Sequence, residues 1–313
     1  MKILVTGGAG FIASHVSEGY LKAGHTVAIV DDLSTGKREN IPSAAKFYQC
    51  DVTDLEAIEE VIAEERPEII NHHAAQMDVR RSVREPLFDA RVNILGGLGL
   101  LEIAVKYKIR KFLYASTGGA SYGEVETVPV DETHPTAPIC HYGVSKITLE
   151  RYLYLYKHLY GLNYTVMRYP NVYGPRQNPH GEAGVVAIFA LQMLRGDRPT
   201  IYGDGSKTRD YTFIEDIVRA NLALLEKGDG EILNLGWGKP VSDFQIFELV
   251  RKAAGYSNSP QYAPVRNGEV AHIALNAGRA KAVSGWVPKV SIEDGIMRTV
   301  EFIKNANACA ANS

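Results

Sequence analysis

The chain alternates short apolar runs with longer segments of helical period over its first 170 residues. The apolar runs have the length of buried strands, and they lie near residues 2–6, 26–31, 46–50, 68–72, 111–116 and 163–168. Between the first two runs, Ile12, Val16 and Tyr20 recur at helical spacing and mark one face of a helix. This alternation predicts βαβ units, and therefore an α/β fold built on a doubly wound parallel sheet.

Two later helical segments carry more apolar surface than a single contact face requires. Segment 87–107 has two apolar stripes, and segment 144–160 is likewise apolar on more than one side. One stripe of each helix would cover the sheet, and the other would pack either within the monomer or against a second subunit. We expect the second arrangement, a homodimer formed through these two helices.

The chain becomes richer in glycine and proline after residue 170, as in the run NVYGPRQNPHGEAG at 171–184. Helical patterns follow at 215–227, 243–254 and 291–304, the second of them behind a capping box of Ser242 and Gln245. A layer of this kind would cover the carboxyl edge of the sheet, where open α/β folds bind ligands. We therefore predict a second, smaller α/β domain that binds the substrate.

Composition and charge exclude several classes of function. With 34 basic and 36 acidic residues the net charge is −2, so no general field attracts nucleic acid or an anionic membrane. No window approaches the roughly 18 apolar residues of a membrane span. The three cysteines lie far apart and match no metal-binding spacing, so we expect reduced thiols, a cytoplasmic protein and no metal site.

A glycine-rich segment, Gly7 to Ala13, follows the first strand and opens a helix. Glycines at 7 and 10 allow a tight turn and a close approach to a pyrophosphate, whose charge the helix N-terminus favours. Asp31 ends the second strand about twenty residues later, where a carboxylate accepts hydrogen bonds from the adenosine ribose and repels a 2′-phosphate. The segment predicts NAD; NADP is the less favoured alternative, because Lys37 and Arg38 are near.

Tyr142 and Lys146 are four residues apart and therefore share one helix face. A phenol with a pKa of about 10 is a poor base at neutral pH, and lowering that pKa to about 7 takes roughly 4 kcal/mol. The Lys146 ammonium and a nicotinamide cation can supply the charge. Because the chain also carries the dinucleotide signature, the pair predicts a tyrosine base with a lysine partner. In a chain without that signature, two ordinary helix residues would be the simpler interpretation.

These motifs, together with RYPN at 168–171 and TRDY at 208–211, resemble those of the UDP-galactose/UDP-glucose 4-epimerase family of extended short-chain dehydrogenases/reductases. The resemblance implies an NAD-binding Rossmann domain over 1–167 plus about 208–238, and a nucleotide-sugar-binding domain over 168–207 and 239–313. It also implies interconversion of UDP-glucose and UDP-galactose by transient oxidation at sugar carbon 4, with Tyr142 taking the proton of the 4-hydroxyl.

The resemblance also assigns two sets of ligand contacts. The first set would bind NAD and consists of Gly7, Gly10, Phe11, Ile12, Asp31, Asp32, Ser34, Thr35, Gly36, Asp51, Val52, His73, Ala74, Ala75, Gln76, Asn93, Tyr142, Lys146, Tyr169 and Pro170. The second would bind the UDP-sugar and consists of Thr117, Gly118, Tyr142, Asn171, Val185, Val186, Thr200, Tyr202, Arg209, Arg266 and Glu269. The two arginines would meet the diphosphate, which suits guanidinium chemistry.

The stretch ASTGGASYG at 115–123 departs from the pattern of this family. The serine that usually bonds the sugar 4-hydroxyl falls on Gly118, and the nearest hydroxyls belong to Thr117 and Ser116; we predict that Thr117 takes the role. Related 4,6-dehydratases and decarboxylases carry acids where Gly119 and Ala120 stand here, which favours hydride transfer alone. The remaining alternatives are a nucleotide-sugar 4,6-dehydratase, a UDP-glucuronate decarboxylase-like enzyme, and a non-catalytic NAD-sensing scaffold.

Overall fold

The structure of the chain is a computed structural model that describes residues 1–180, 184–265 and 270–311. Its strands, in chain order, are β1 Lys2–Thr6, β2 Thr26–Asp31, β3 Lys46–Gln49, β4 Ile69–His72, β5 Lys111–Thr117, β6 Asn163–Tyr169, β7 Asn171–Tyr173, β8 Thr200–Tyr202, β9 Thr208–Arg209, β10 Tyr211–Phe213, β11 Glu231–Asn234, β12 Val241–Ser242 and β13 Gln261–Ala263. Its α-helices are α1 Phe11–Lys22, α2 Leu55–Glu65, α3 Val79–Arg84, α4 Pro86–Ala90, α5 Gly97–Lys106, α6 His141–Tyr160, α7 Val185–Leu194, α8 Ile214–Leu224, α9 Asp243–Ala254, α10 Gly278–Ser284 and α11 Ile292–Ala311.

Seven strands form one parallel sheet in the order β11-β6-β5-β4-β1-β2-β3. Successive side chains of β1 face opposite sides: Ile3 and Val5 enter one apolar core with α1 and α8, and Leu4 enters another with α2, α5 and α6. Because helices cover both faces, both sets of side chains are buried. The predicted doubly wound α/β fold is confirmed, and all six predicted strands are present. β11 is a seventh strand of this sheet.

The segment predicted as one helix at 87–107 is interrupted. It consists of α4, a π turn over Arg91–Gly96, and α5. Glycines lower helix propensity at this junction, and they are also required by packing. A Cβ at Gly97 would lie 2.5 Å from Leu149 Cδ2, so α5 and α6 approach more closely there than any other residue would allow.

A smaller layer covers the carboxyl edge of the sheet. It contains three two-stranded pairs, β7 with β10, β8 with β13, and β9 with β12, and the mutually packed helices α7, α9 and α11. The capping box predicted at Ser242 and Gln245 is confirmed at the start of α9, and Gly255 ends that helix with a φ of +65°. The division into two domains at the stated boundaries stays a prediction. Within the described ranges, no helix is long and apolar enough to span a bilayer.

Candidate active site

The glycine loop between β1 and α1 fits an anion. Gly7 has a φ of +70°, and a Cβ there would lie 2.7 Å from the backbone nitrogen of Ala74, so only glycine fits. Helix α1 begins after Gly10 with no side-chain cap and no acid in its first turn, so no side chain of the helix itself occupies its N-terminus. Phe11 and Ile12 begin the helix here, and backbone N–H groups in this position attract phosphate oxygens.

Asp31 closes the loop from the next strand. Its carboxylate accepts hydrogen bonds from the backbone nitrogens of Ala9 at 3.0 Å and Leu33 at 2.8 Å, and burial raises its pKa. A Cβ at Gly36 would lie 2.7 Å from Asp31 Oδ1, which explains the glycine there. Asp32 accepts from the Ser34 hydroxyl at 2.7 Å, so most of the predicted residues from 31 to 36 share one turn beside the glycine loop, and Thr35 lies between them in the chain.

The two cations near this turn have partners of their own. Arg38 Nη2 donates to Gln49 Oε1 at 2.9 Å, and its guanidinium carbon lies 5.0 Å from the centre of the Phe47 ring. Lys37 Nζ lies 3.5 Å from Glu39 Oε1. Since a 2′-phosphate would need these cations beside the Asp31 carboxylate, the arrangement favours NAD.

The third part of the predicted cofactor site is the loop from His73 to Gln76 after β4. The backbone nitrogen of Ala74 donates to Thr6 Oγ1 at 3.2 Å, and Ala75 follows it. The amide of Asn93, in the π turn, bonds both backbone groups of Gln76 at 2.9 Å. Asn93 therefore supports this loop directly, and a contact of its side chain with NAD stays a prediction.

Asp51 and Val52 lie in the turn after β3, as a site at the adenine would require. Asp51 Oδ1 accepts from the backbone nitrogen of Thr53 at 2.8 Å, and Val52 is buried. A Cβ at Gly96 would lie 3.3 Å from Val52 Cγ2, so the turn packs against the end of the π turn. All these loops leave the carboxyl ends of parallel strands and so meet at one sheet edge.

Helix α6 brings Tyr142 and Lys146 to the same edge. Gly143 is so close to the carbonyl oxygen of Ala120 that a Cβ would lie 2.4 Å from it, which sets the first turn of α6 against the stretch after β5. Lys146 is 3% exposed, and its Nζ lies 4.5 Å from the centre of the Tyr114 ring. Among the described residues, no carboxylate is within ion-pair distance of this ammonium.

Burial dominates the titration of both groups. It raises the pKa of Tyr142 well above that of a free phenol, and Cys140 and Asp89 raise it further. It lowers the pKa of Lys146 to about 7, against the opposing charges of Glu150 and Asp89. A phenolate at neutral pH therefore requires additional positive charge beside the ring, which an oxidised nicotinamide carries.

The structure separates the two candidate hydroxyls at the end of β5. The Ser116 hydroxyl is buried and donates to Glu150 Oε1 at 2.5 Å, inside the core. Thr117, the next residue, faces the other side of the strand and is half-buried, with Oγ1 accepting from the backbone nitrogen of Ala120 at 3.3 Å. A Cβ at Gly118 would lie 2.3 Å from Leu275 Cδ1, so a side chain where the family carries its usual serine would have to displace the buried Leu275.

The predicted substrate residues lie on neighbouring strands. Tyr169 and Pro170, which were predicted at the cofactor, join β6 to β7, and the backbone nitrogen of Asn171, a predicted substrate residue, donates to the backbone oxygen of Asp210 at 3.0 Å. A Cβ at Gly119 would lie 3.6 Å from Asn171 Oδ1, which places that amide beside the stretch after β5. Arg209 Nη1 donates to the backbone oxygens of Thr208 at 2.8 Å and Ala271 at 3.3 Å.

The other predicted substrate residues differ in burial and in the elements that carry them. Val185 and Val186 open α7, where Val186 is buried in the core. Thr200 and Tyr202 lie on β8. Arg266 and Glu269 lie outside the described residues.

Sequence reasoning missed a buried polar network behind these residues. Glu150 forms an ion pair with Arg168 at 2.6 Å, and Arg168 Nη1 donates to the Tyr122 hydroxyl at 2.8 Å. The Asp210 carboxylate accepts three backbone N–H groups, each at 2.9 Å, which fixes the segments at 237–238 and 275; burial raises its pKa to about 6. The available signal was a charged residue inside an apolar helix or strand, as at Glu150 and Arg168.

Comparisons with known proteins agree with this geometry. Residues 3–236 match the NAD dependent epimerase/dehydratase family. A UDP-glucose 4-epimerase of Mycolicibacterium smegmatis is 42% identical, over 97% of this chain and 99% of its own. A crystal structure of the Thermotoga maritima UDP-glucose 4-epimerase with UDP-glucose is 49% identical, with a TM-score of 0.97, over 98% of this chain and all of that one. The Thermus thermophilus UDP-glucose 4-epimerase in complex with NAD is 44% identical, with a TM-score of 0.93 and the same coverage.

Proposed function

Because the chain belongs to the NAD-dependent epimerase/dehydratase family, we propose that it interconverts UDP-glucose and UDP-galactose by transient oxidation at sugar carbon 4. The observation that carries the proposal is the contact between Gly143 and Ala120, which sets Tyr142 beside the stretch that begins at Thr117. The proposed base, Tyr142, and the Thr117 hydroxyl at the end of β5 thus lie on the same side of the site. The same sheet edge carries the uncapped helix N-terminus that suits a dinucleotide.

The polar groups of the site match the groups that NAD presents. The first turn of α1 has open N–H groups, Asp31 offers carboxylate oxygens, and the Lys146 ammonium is buried without an ion-pair partner among the described residues. When bound, NAD supplies a hydride acceptor. Lys146 would donate to ribose hydroxyls and hold positive charge near Tyr142, and the buried surroundings of both would exclude water.

In the proposed reaction, Tyr142 accepts the proton of the sugar 4-hydroxyl and later returns it. Thr117 Oγ1 bonds the same sugar oxygen, which orients it toward the phenolate. Asn171 and Arg209 hold the nucleotide end, where the Arg209 guanidinium has further N–H donors for diphosphate oxygens. Firm binding of the diphosphate leaves the hexose free to present either face.

Product analysis tests this function. The protein is incubated with UDP-galactose, UDP-N-acetylgalactosamine and UDP-glucuronate, and products are separated by chromatography with mass detection. Epimers have the mass of their substrates, whereas dehydration or decarboxylation removes water or carbon dioxide. Gly119 and Ala120 offer no carboxylate for such an elimination, so isobaric products are expected. Loss of mass would support the dehydratase or decarboxylase alternative, and absence of any product would favour a scaffold.

Thr117→Val is expected to lower kcat/KM about tenfold to a hundredfold. The valine keeps the branched shape but removes the hydroxyl from the half-buried end of β5, and a hydrogen bond to a charged or reacting oxygen is worth about 1.5 to 3 kcal/mol. Ser116→Ala is the matched control: its hydroxyl bonds Glu150 in the core, so we expect lower stability to urea and a smaller loss of turnover. The reverse ranking of the two activities would assign the hydroxyl role to Ser116.

We also propose a homodimer through the surface of the π turn, α4 and α6. This surface exposes large apolar side chains of the kind that interfaces bury, namely Leu87 at 86%, Leu95 at 60%, Tyr154 at 66% and Leu159 at 55%. Light scattering should give twice the monomer mass, and Tyr154→Glu should shift the protein toward monomer. A monomeric wild type at micromolar concentration contradicts the proposal.

A further inference from the structure

Asp89, on α4, is a buried carboxylate at the junction of three parts of the site. It is 1% exposed. Its Oδ1 accepts from Gln76 Nε2 at 2.9 Å and from Asn93 Nδ2 at 3.1 Å, and its Oδ2 accepts from the Ser145 hydroxyl. The donors belong to the loop after β4, the π turn and α6. Asp89 thus joins the cofactor loop to the helix that carries Tyr142 and Lys146.

Asp89, like the buried Asp210, is held by hydrogen bonds and not by an ion pair within the described part of the chain. Among the described residues, no Lys, Arg or His lies within ion-pair distance of it, and its three hydrogen bonds come from neutral groups. Glu150, the other acid near Lys146, pairs with Arg168 at 2.6 Å, and its charge raises the pKa of Lys146 more than that of Asp89 does. Asp89 adds an uncompensated charge in the low-dielectric interior, where a charge acts on its neighbours more strongly than in water.

Few other charges surround Lys146. His72 and His73 face it from β4 and the following loop, but burial and the Lys146 charge lower their pKa values, that of His73 to about 3, so both are neutral. Tyr114 faces it from β5, and burial raises the pKa of that phenol. The charges that raise the pKa of Lys146 are those of Glu150 and, after it, Asp89.

We propose that Asp89 is a positioning residue of the active site: its hydrogen bonds to Gln76, Asn93 and Ser145 hold the loop after β4 and the π turn against α6, where its unpaired charge acts on Lys146. The same carboxylate raises the pKa of Tyr142, after burial and Cys140. Removing the charge therefore lowers the pKa of both groups. The activity consequence rests on the proposed function, whereas the effect on Lys146 does not.

Asp89→Asn tests the proposal because it removes the charge and preserves the shape. In the unliganded protein, the pKa of Lys146 is followed by NMR of lysine labelled with ¹⁵N at Nζ, with the resonance assigned from Lys146→Met. We expect the acid dissociation constant of Lys146 to rise about threefold to tenfold. Both limbs of the pH profile of kcat should move to lower pH by a similar factor, which a purely structural loss would not produce.

Glu65→Gln is the control, since Glu65 is a buried carboxylate on α2, bonded to Lys2 at 3.1 Å and remote from the site. It should lower stability and leave the Lys146 resonance and the pH profile in place. If the Asp89→Asn variant does not fold, Asp89→Ser is measured in the same way, because it also removes the charge and has a smaller side chain. An unchanged Lys146 pKa in either folded Asp89 variant overturns the proposal. A wild type without epimerase activity would overturn the proposed function and leave the Lys146 measurement valid.

Discussion

Tyr142→Phe is expected to reduce kcat about 1000-fold while NAD stays bound. The ring remains and only the hydroxyl is lost, so packing at the start of α6 is preserved. A positioned general base contributes about 100-fold to 10,000-fold, and each tenfold step corresponds to about 1.4 kcal/mol of activation free energy. Turnover is measured with UDP-galactose, and bound cofactor by its absorbance after release from the purified protein.

Tyr154→Phe is the matched control, because Tyr154 lies on the same helix, on the surface proposed for the dimer, and the substitution keeps its ring there. It should retain full activity. A Tyr142→Phe enzyme with near wild-type turnover would show that another group removes the proton. Loss of NAD from the variant would instead assign Tyr142 to cofactor binding.

Lys146→Met is expected to lower kcat about 100-fold at neutral pH and to move the acid limb of the pH profile upward. In the proposed role the ammonium would stabilise the phenolate, and the Coulomb energy of two unit charges about 5 Å apart is about 3 kcal/mol at an effective dielectric constant of about 20. Removing a cation raises the pKa of Tyr142, so activity should recover as the pH rises. The profile of kcat against pH between about 6 and 10 measures this.

Lys157→Met controls for the loss of a lysine from the same helix. Lys157 lies in the last turn of α6, with Nζ 5.9 Å from the centre of the Tyr164 ring and away from the site. We expect an unchanged pH profile. An equal loss of activity at every pH in Lys146→Met would contradict the electrostatic role and indicate that Lys146 only binds the cofactor.

Residue 118 packs against a distant part of the chain, which the sequence alone does not show. The sequence shows a glycine where the family carries a serine, and that substitution alone gives no reason for it. In the structure, Leu275 fills the space, from a segment 157 residues further along the chain. A side chain at residue 118 would therefore have to displace this buried leucine, and the nearest hydroxyl that is not bonded to Glu150 in the core is that of Thr117.

Local features of the sequence by themselves determined the six strands, the glycine loop and the shared face of Tyr142 and Lys146. These depend on periodicity and on spacings of a few residues, which the backbone geometry of strands and helices fixes. The tertiary structure alone decided the place of β11 beside β6, the break of the helix at 91–96, and the burial of Asp89. Asp89 accepts a hydrogen bond from Ser145, 56 residues away, and Glu150 on α6 forms an ion pair with Arg168 on β6. The cost of burying a charge and its effect on neighbouring pKa values depend on which distant groups surround it, and only the folded chain sets those neighbours.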